Sequence, residues 1–144
     1  MTKLDAAVRE ALHAGETPLQ SFQGLSDGLN RSSRQPGPAT LHVTGSSVVV
    51  AWTKLGLVPR AQSERFEPSD LMDVEEADLA LPGMVGALER KNSTHAVARA
   101  FGAANTRPTV TVVTRRGDFT LFFDRKQRDM ARKALVAVGD LIRR

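Results

Sequence analysis

The chain has 144 residues, enough for one domain with a buried core, and 41% of them are hydrophobic. It contains no cysteine, which excludes disulfide frameworks, thiolate zinc sites and cysteine nucleophiles. The net charge of +4 conceals a segregation: eight acids and one base lie between Glu64 and Glu89, and thirteen bases and four acids from Arg90 onward. Two readings follow. Either two faces of opposite sign neutralise each other in the fold, or a basic surface awaits an acidic partner such as nucleic acid, anionic lipid or an acidic protein.

Met1-Thr2-Lys3-Leu4-Asp5 carries an acid and no apolar run follows, so no signal peptide is expected. No apolar stretch is long enough to span a bilayer. A cytoplasmic protein is the expectation. Residues 3–14 should form a short helix, with Leu4, Val8, Ala11 and Leu12 on one face. Thr2 and Asp5 have the spacing of a capping box, and Gly15 would stop the helix. The expected role of this helix is a packed or fraying arm. Residues 16–38 are poor in apolar side chains and rich in Gly, Ser, Gln and Pro, and read as a linker. The division expected is a helix and linker over 1–38 and a folded domain over 39–144.

A strand is expected from about Ala39, where Leu41 and Val43 alternate with Thr40, His42 and Thr44. Gly45-Ser46-Ser47 turns the chain into Val48-Val49-Val50-Ala51-Trp52, completing a hairpin. Trp52, the only tryptophan, should sit at the edge of the core with its N–H hydrogen-bonded. Residues 62–66 suggest a third strand, broken at Pro68. Residues 72–77 suggest a fourth, with Met72 and Val74 inward, although Ser69 could instead cap a helix there. Glycines interrupt 82–107, where Ala96, Val97, Ala100 and Phe101 could form a short helix.

The end of the chain is the most legible part. Thr109–Thr114 is a strand, Arg115-Arg116-Gly117-Asp118 a turn, and Phe119–Phe123 the returning strand with Phe119, Leu121 and Phe123 on one face. Asp124 and Gln127 have capping-box spacing. Beyond them Met130, Ala131, Ala134, Leu135, Val138, Leu141 and Ile142 form an apolar stripe of helical period. Arg125, Lys126, Arg128, Arg132 and Lys133 lie off that stripe.

The Leu41–Trp52 hairpin, the Pro-initiated turn at Glu67–Glu75, and the final hairpin and helix from Val110 to Ile142 resemble a bacterial pleckstrin-homology-like domain over residues 39–142. The resemblance implies an α+β fold: an antiparallel sheet or partly open barrel closed by a C-terminal amphipathic helix, here preceded by a helical arm. Such domains usually have seven strands, of which five or six can be placed. A Lys-x-Arg arrangement in the first hairpin, which serves inositol phosphates in this family, has no counterpart. Protein scaffolding and peptide docking are the roles that the resemblance implies.

No nucleophile elbow, phosphate loop or dinucleotide fingerprint is present, and His13, His42 and His95 have no metal-ligand spacing. No cofactor, metal or enzymatic activity is therefore expected. Asp70, Asp73, Glu75, Glu76 and Asp78 lack the frame of a calcium loop and read as a solvated acidic edge. The candidate partner-binding residues are Arg115, Arg116, Arg125, Lys126, Arg128, Arg132 and Lys133. The expectation is a non-enzymatic module that binds a protein. Nucleic-acid binding through the basic hairpin and helix is the first alternative, and an anionic-lipid surface the second. The surface of the folded domain would show whether an apolar groove or edge strand lies open beside the basic face.

Overall fold

A computed structural model describes residues 2–33, 35–81 and 106–144. The short helix expected at 96–101 lies outside the described residues. Helix α1 (Lys3–Ala11) leads into β1 (Gln20–Ser26), followed by β2 (Gly37–Val43), β3 (Val48–Lys54), β4 (Arg60–Phe66) and β5 (Leu71–Ala80). Strands β6 (Thr106–Thr114) and β7 (Gly117–Phe122) follow, and helix α2 (Arg128–Ile142) ends the chain. The seven strands among the described residues form one antiparallel sheet in the order β4-β3-β2-β1-β7-β6-β5. The sheet curls into a half-barrel and α2 packs on its strands. The α+β class and closing helix expected from the sequence are thus present, with seven strands rather than five or six.

The added strand is β1, inside the stretch read as a linker. It pairs with β2 from Gln20↔Val43 to Ser26↔Gly37 and is a central strand of the sheet. Its sequence, Gln-Ser-Phe-Gln-Gly-Leu-Ser, gives little side-chain signal because only Phe22 and Ser26 are buried. Backbone ladder bonds and neighbours place it, not propensity.

The main core lies inside the curl. Leu41, Val48, Val50, Phe66, Val110, Val112, Phe119, Leu121 and Phe123 meet Ala131, Ala134, Val138 and Leu141 of α2. Burying one such aliphatic or aromatic side chain contributes roughly 1.5–3 kcal/mol. A second, smaller core lies on the outer face, where Ala7 and Val8 of α1 cover Val49 and Ala51. Residues 48–52 are therefore apolar without alternation because both faces of β3 are covered.

The Thr2–Asp5 capping box forms, but α1 ends at Ala11, short of the expected residue 14. The residues expected to place Met72 inward do so for Leu71 instead. A register shift between Leu71 and Asp73 turns Met72 outward, while Val74 packs against the core. Trp52 is buried beside Phe119, with ring centroids 5.9 Å apart, and its Nε1 has no partner among the described residues, contrary to expectation. Gly28 presses on that nitrogen: a Cβ there would lie 2.6 Å from it. Asp124 and Gln127 do not form their capping box. Asp124 caps a short 3-10 turn by accepting from the Lys126 N–H at 3.0 Å, and α2 begins only at Arg128.

Candidate interaction site

The seven candidate cations divide by what they touch. Arg115 and Arg116 occupy the β6–β7 turn, which docks on the β4–β5 corner. The Arg115 N–H donates to the Asp70 carbonyl at 2.9 Å, and its Nε to the Ser69 carbonyl at 3.0 Å. Arg116 pairs with Glu64 at 2.9 Å, lies 3.8 Å from Asp70, and donates to the Arg65 carbonyl. Its guanidinium carbon also stands 4.8 Å from the centroid of Phe66. These two arginines bind the sheet's own corner.

Arg128 and Arg132 face β5. Arg128 pairs with Asp78 and Arg132 with Glu76, each at 2.8 Å. The match is geometric. Two residues along a strand advance about 6.8 Å, and four along a helix about 6 Å. An i,i+2 pair of acids on β5 therefore meets an i,i+4 pair of arginines on α2. Glu76 is mostly covered, with 16% of its side chain exposed, so the acidic edge is less solvated here than expected. Hydrogen bonding to Glu76 raises the Arg132 guanidinium above its ordinary pKa. Much of the segregated charge in the sequence is neutralised within the fold.

Arg125 lies in the 3-10 turn before α2. The ammonium groups of Lys126 and Lys133 make no ion pair or hydrogen bond among the described residues. Lys133 borders an open groove of about 580 Å3 between β1 and α2. Phe22 and Met130 contribute apolar surface to it, Val136 stands half-exposed on it, and Gln20 and Ser21 form its β1 side. Phe22 is held by an edge-to-face contact with Phe123, centroids 6.5 Å apart.

The groove exists because β1 outruns β7. The two strands pair only at Leu25↔Phe122, after which the chain turns away from β7 into α2. Residues 20–23 therefore have a ladder partner on β2 alone. A half-paired strand, an apolar floor and an uncommitted lysine meet here. Of the seven sequence candidates, only Arg132 and Lys133 border this place, and β1 itself was missed. The signals that could have found it are Phe22 and Leu25 within residues 20–26, which are sparse.

The opposite end of the N-terminal arm is fixed by one carboxylate. Glu16 pairs with Arg65, whose Nη2 lies 3.0 Å from Oε2. Glu16 also accepts from the His13 N–H at 3.1 Å and the Thr44 hydroxyl at 3.3 Å. The Arg65 hydrogen bond holds its pKa down at about 2. His42, on the outer face, shares a 2.8 Å hydrogen bond with the Ser21 hydroxyl through Nδ1. Burial lowers its pKa, and its Nε2 has no partner among the described residues.

No helix among the described residues is long and apolar enough to cross a membrane. No family model matches the chain, and no curated protein or solved structure matches it either.

Proposed function

We propose that this chain is a cytoplasmic, non-enzymatic adaptor: a pleckstrin-homology-like domain that binds a protein partner. The partner docks as an extended segment along residues 20–23 of β1, in the groove beside α2. One observation carries the reading: residues 20–23 of β1, with no ladder partner on the α2 side, border an apolar groove on which Lys133 has no partner among the described residues. Strand addition gives affinity through backbone hydrogen bonds, and pockets for alternate side chains give specificity. The expected segment carries an apolar side chain for Phe22, Met130 and Val136, and an acidic one for Lys133. Nucleic acid and anionic lipid receive less support, because Arg115, Arg116, Arg128 and Arg132 are held by carboxylates and carbonyls of the domain.

Random peptides displayed on phage and panned against the full chain test this reading. The expected winners combine apolar and acidic residues. Their amide-shift perturbations should centre on 20–24 and 130–136, and Lys133→Glu should abolish the acidic preference. Winners that perturb other surfaces, or a basic preference, would contradict it. A gel shift with DNA or RNA at low salt that weakens steeply with added salt would favour the nucleic-acid reading instead.

A further inference from the structure

The outer edge of β4 shares no residue with the β1–α2 groove. Strand β4 ends the sheet on its side and has a ladder partner on β3 alone. Alternate residues of such a strand turn both backbone groups outward. Arg65 is one of them, because its carbonyl accepts from the Arg116 guanidinium of the β6–β7 turn. Just before the strand, the Pro59 carbonyl accepts from Lys3 Nζ at 3.4 Å. Both ends of the edge are thus closed by side chains of the chain itself. Between them Ala61 and Ser63 keep step with Arg65, and their outward N–H and carbonyl groups have no partner among the described residues. An open slot of about 420 Å3 runs along this window, lined by residues 61–64, by Trp52, and by Ala7 and Glu10 of α1.

We propose that this window pairs with the same window of a second copy of the chain, as an antiparallel ladder about a two-fold axis through Gln62. The free backbone groups select that axis. An axis at Ala61 would set Ser63 against Pro59, which has no N–H and whose carbonyl is taken. An axis at Ser63 would set Ala61 against Arg65, whose carbonyl is also taken. An axis at Gln62 joins Ala61 of each copy to Ser63 of the other and needs no other backbone group. The contact is isologous and closes on itself, so it makes a dimer and no fibre.

The side chains agree with the same register. Arg60 of each copy stands opposite Glu64 of the other, and the two Gln62 side chains meet on the axis. Facing residues of this kind have Cα atoms about 4.5 Å apart and side chains in contact. Arg60 makes no ion pair among the described residues, and Glu64 gives Oε2 to Arg116 while Oε1 stays available. Charge complementarity therefore favours a second copy: an unrelated strand must carry an acid and a base at this spacing, and charged edge residues deter the rest. The register also carries the β3–β4 tip, where Leu57 is fully and Val58 largely exposed, towards the β4–β5 corner of the second copy, so apolar surface is covered as well. A contact this short is a weak one and forms as concentration rises.

Sedimentation velocity of the full chain, from micromolar to near-millimolar concentration, should show a reversible monomer–dimer equilibrium. Arg60→Glu sets two acids together at each end of the pairing and should weaken it about tenfold or more. Glu64→Arg should do the same, and an equimolar mixture of the two variants should dimerise again, because each acid then faces a base. The native chain has no cysteine, so Gln62→Cys places a lone thiol on the axis, within disulfide reach of its copy. Mild oxidation should cross-link it much faster than Lys126→Cys, which lies away from the window. A chain that stays monomeric throughout, dimerisation unchanged by Arg60→Glu, a mixture no more associated than its parts, or cross-linking of Gln62→Cys no faster than of Lys126→Cys would overturn the proposal. Should Glu64→Arg disturb the Arg116 corner, the native chain decides: the Ala61 and Ser63 amides must exchange more slowly as concentration rises, and exchange independent of concentration overturns it.

Discussion

The two helices are attached to the same sheet by different means. Helix α1 sits on the outer face through a small apolar patch, Ala7 and Val8 on Val49 and Ala51, with the Glu16–Arg65 ion pair closing the segment that follows. Helix α2 fills the inside of the curl with a full apolar stripe and adds Arg128–Asp78 and Arg132–Glu76 at its edge. The difference shows what each helix is for. Removal of α2 would empty the core, whereas removal of α1 would uncover one face of β3. It also shows that a basic helix beside an acidic strand is first an internal arrangement. Ion pairs of this kind, whose arginines are largely exposed, contribute little to stability but fix how the helix lies.

The largest effect should come from α2. Leu141→Ala removes a side chain buried inside the curl and should cost about 3 kcal/mol, read by urea denaturation with an unchanged m-value. Glu16→Gln should cost about 2 kcal/mol, since Arg65 loses a charged partner in a largely covered position. That variant also carries a pH signature. The native Glu16 carboxylate has its pKa lowered from 4.5 to about 2, so its contribution is complete above the unfolded value and is lost as pH falls from 4.5 towards 2. Glu16→Gln should flatten that part of the stability profile. Val8→Ala should cost about 1.5 kcal/mol and should loosen α1 alone, seen as faster amide exchange of residues 5–12 with the main core unchanged.

Smaller effects sharpen the comparison. His42 has a folded pKa below its unfolded value, so the unfolded chain binds the proton more readily. Its effect is absent above the ordinary histidine pKa of about 6.5, and the domain should lose stability as pH drops through and below it. His42→Gln should remove that slope. Arg132→Glu should lower the melting temperature slightly, and adding Glu76→Arg should recover it. Failure of the double variant to recover would mean that Glu76 and Arg132 do not act as a pair.

The parts read most accurately from the sequence are those where side chains announce their environment. Phe119, Leu121 and Phe123 alternate, the α2 stripe has helical period, and Gly117 marks the turn. The β1 strand gave little, since Gln20, Ser21 and Gln23 are exposed and only neighbours in space make Phe22 and Leu25 a strand. The same limit applied to the candidate site. The basic residues could be counted in the sequence, but their carboxylate partners are about fifty positions away, as for Arg128 with Asp78 and Arg132 with Glu76. The i,i+2 acids and i,i+4 bases were legible as patterns, and only the antiparallel run of α2 along β5 brings them into register.

The proposed docking edge can be tested directly by amide hydrogen exchange on residues 20–23 of the native chain. The alternate amides that point away from β2 should exchange far faster than those bonded to it, and a selected acidic-apolar peptide should slow them selectively. Uniform protection of residues 20–23 in the free protein, or protection by the peptide at any other strand, would contradict the account.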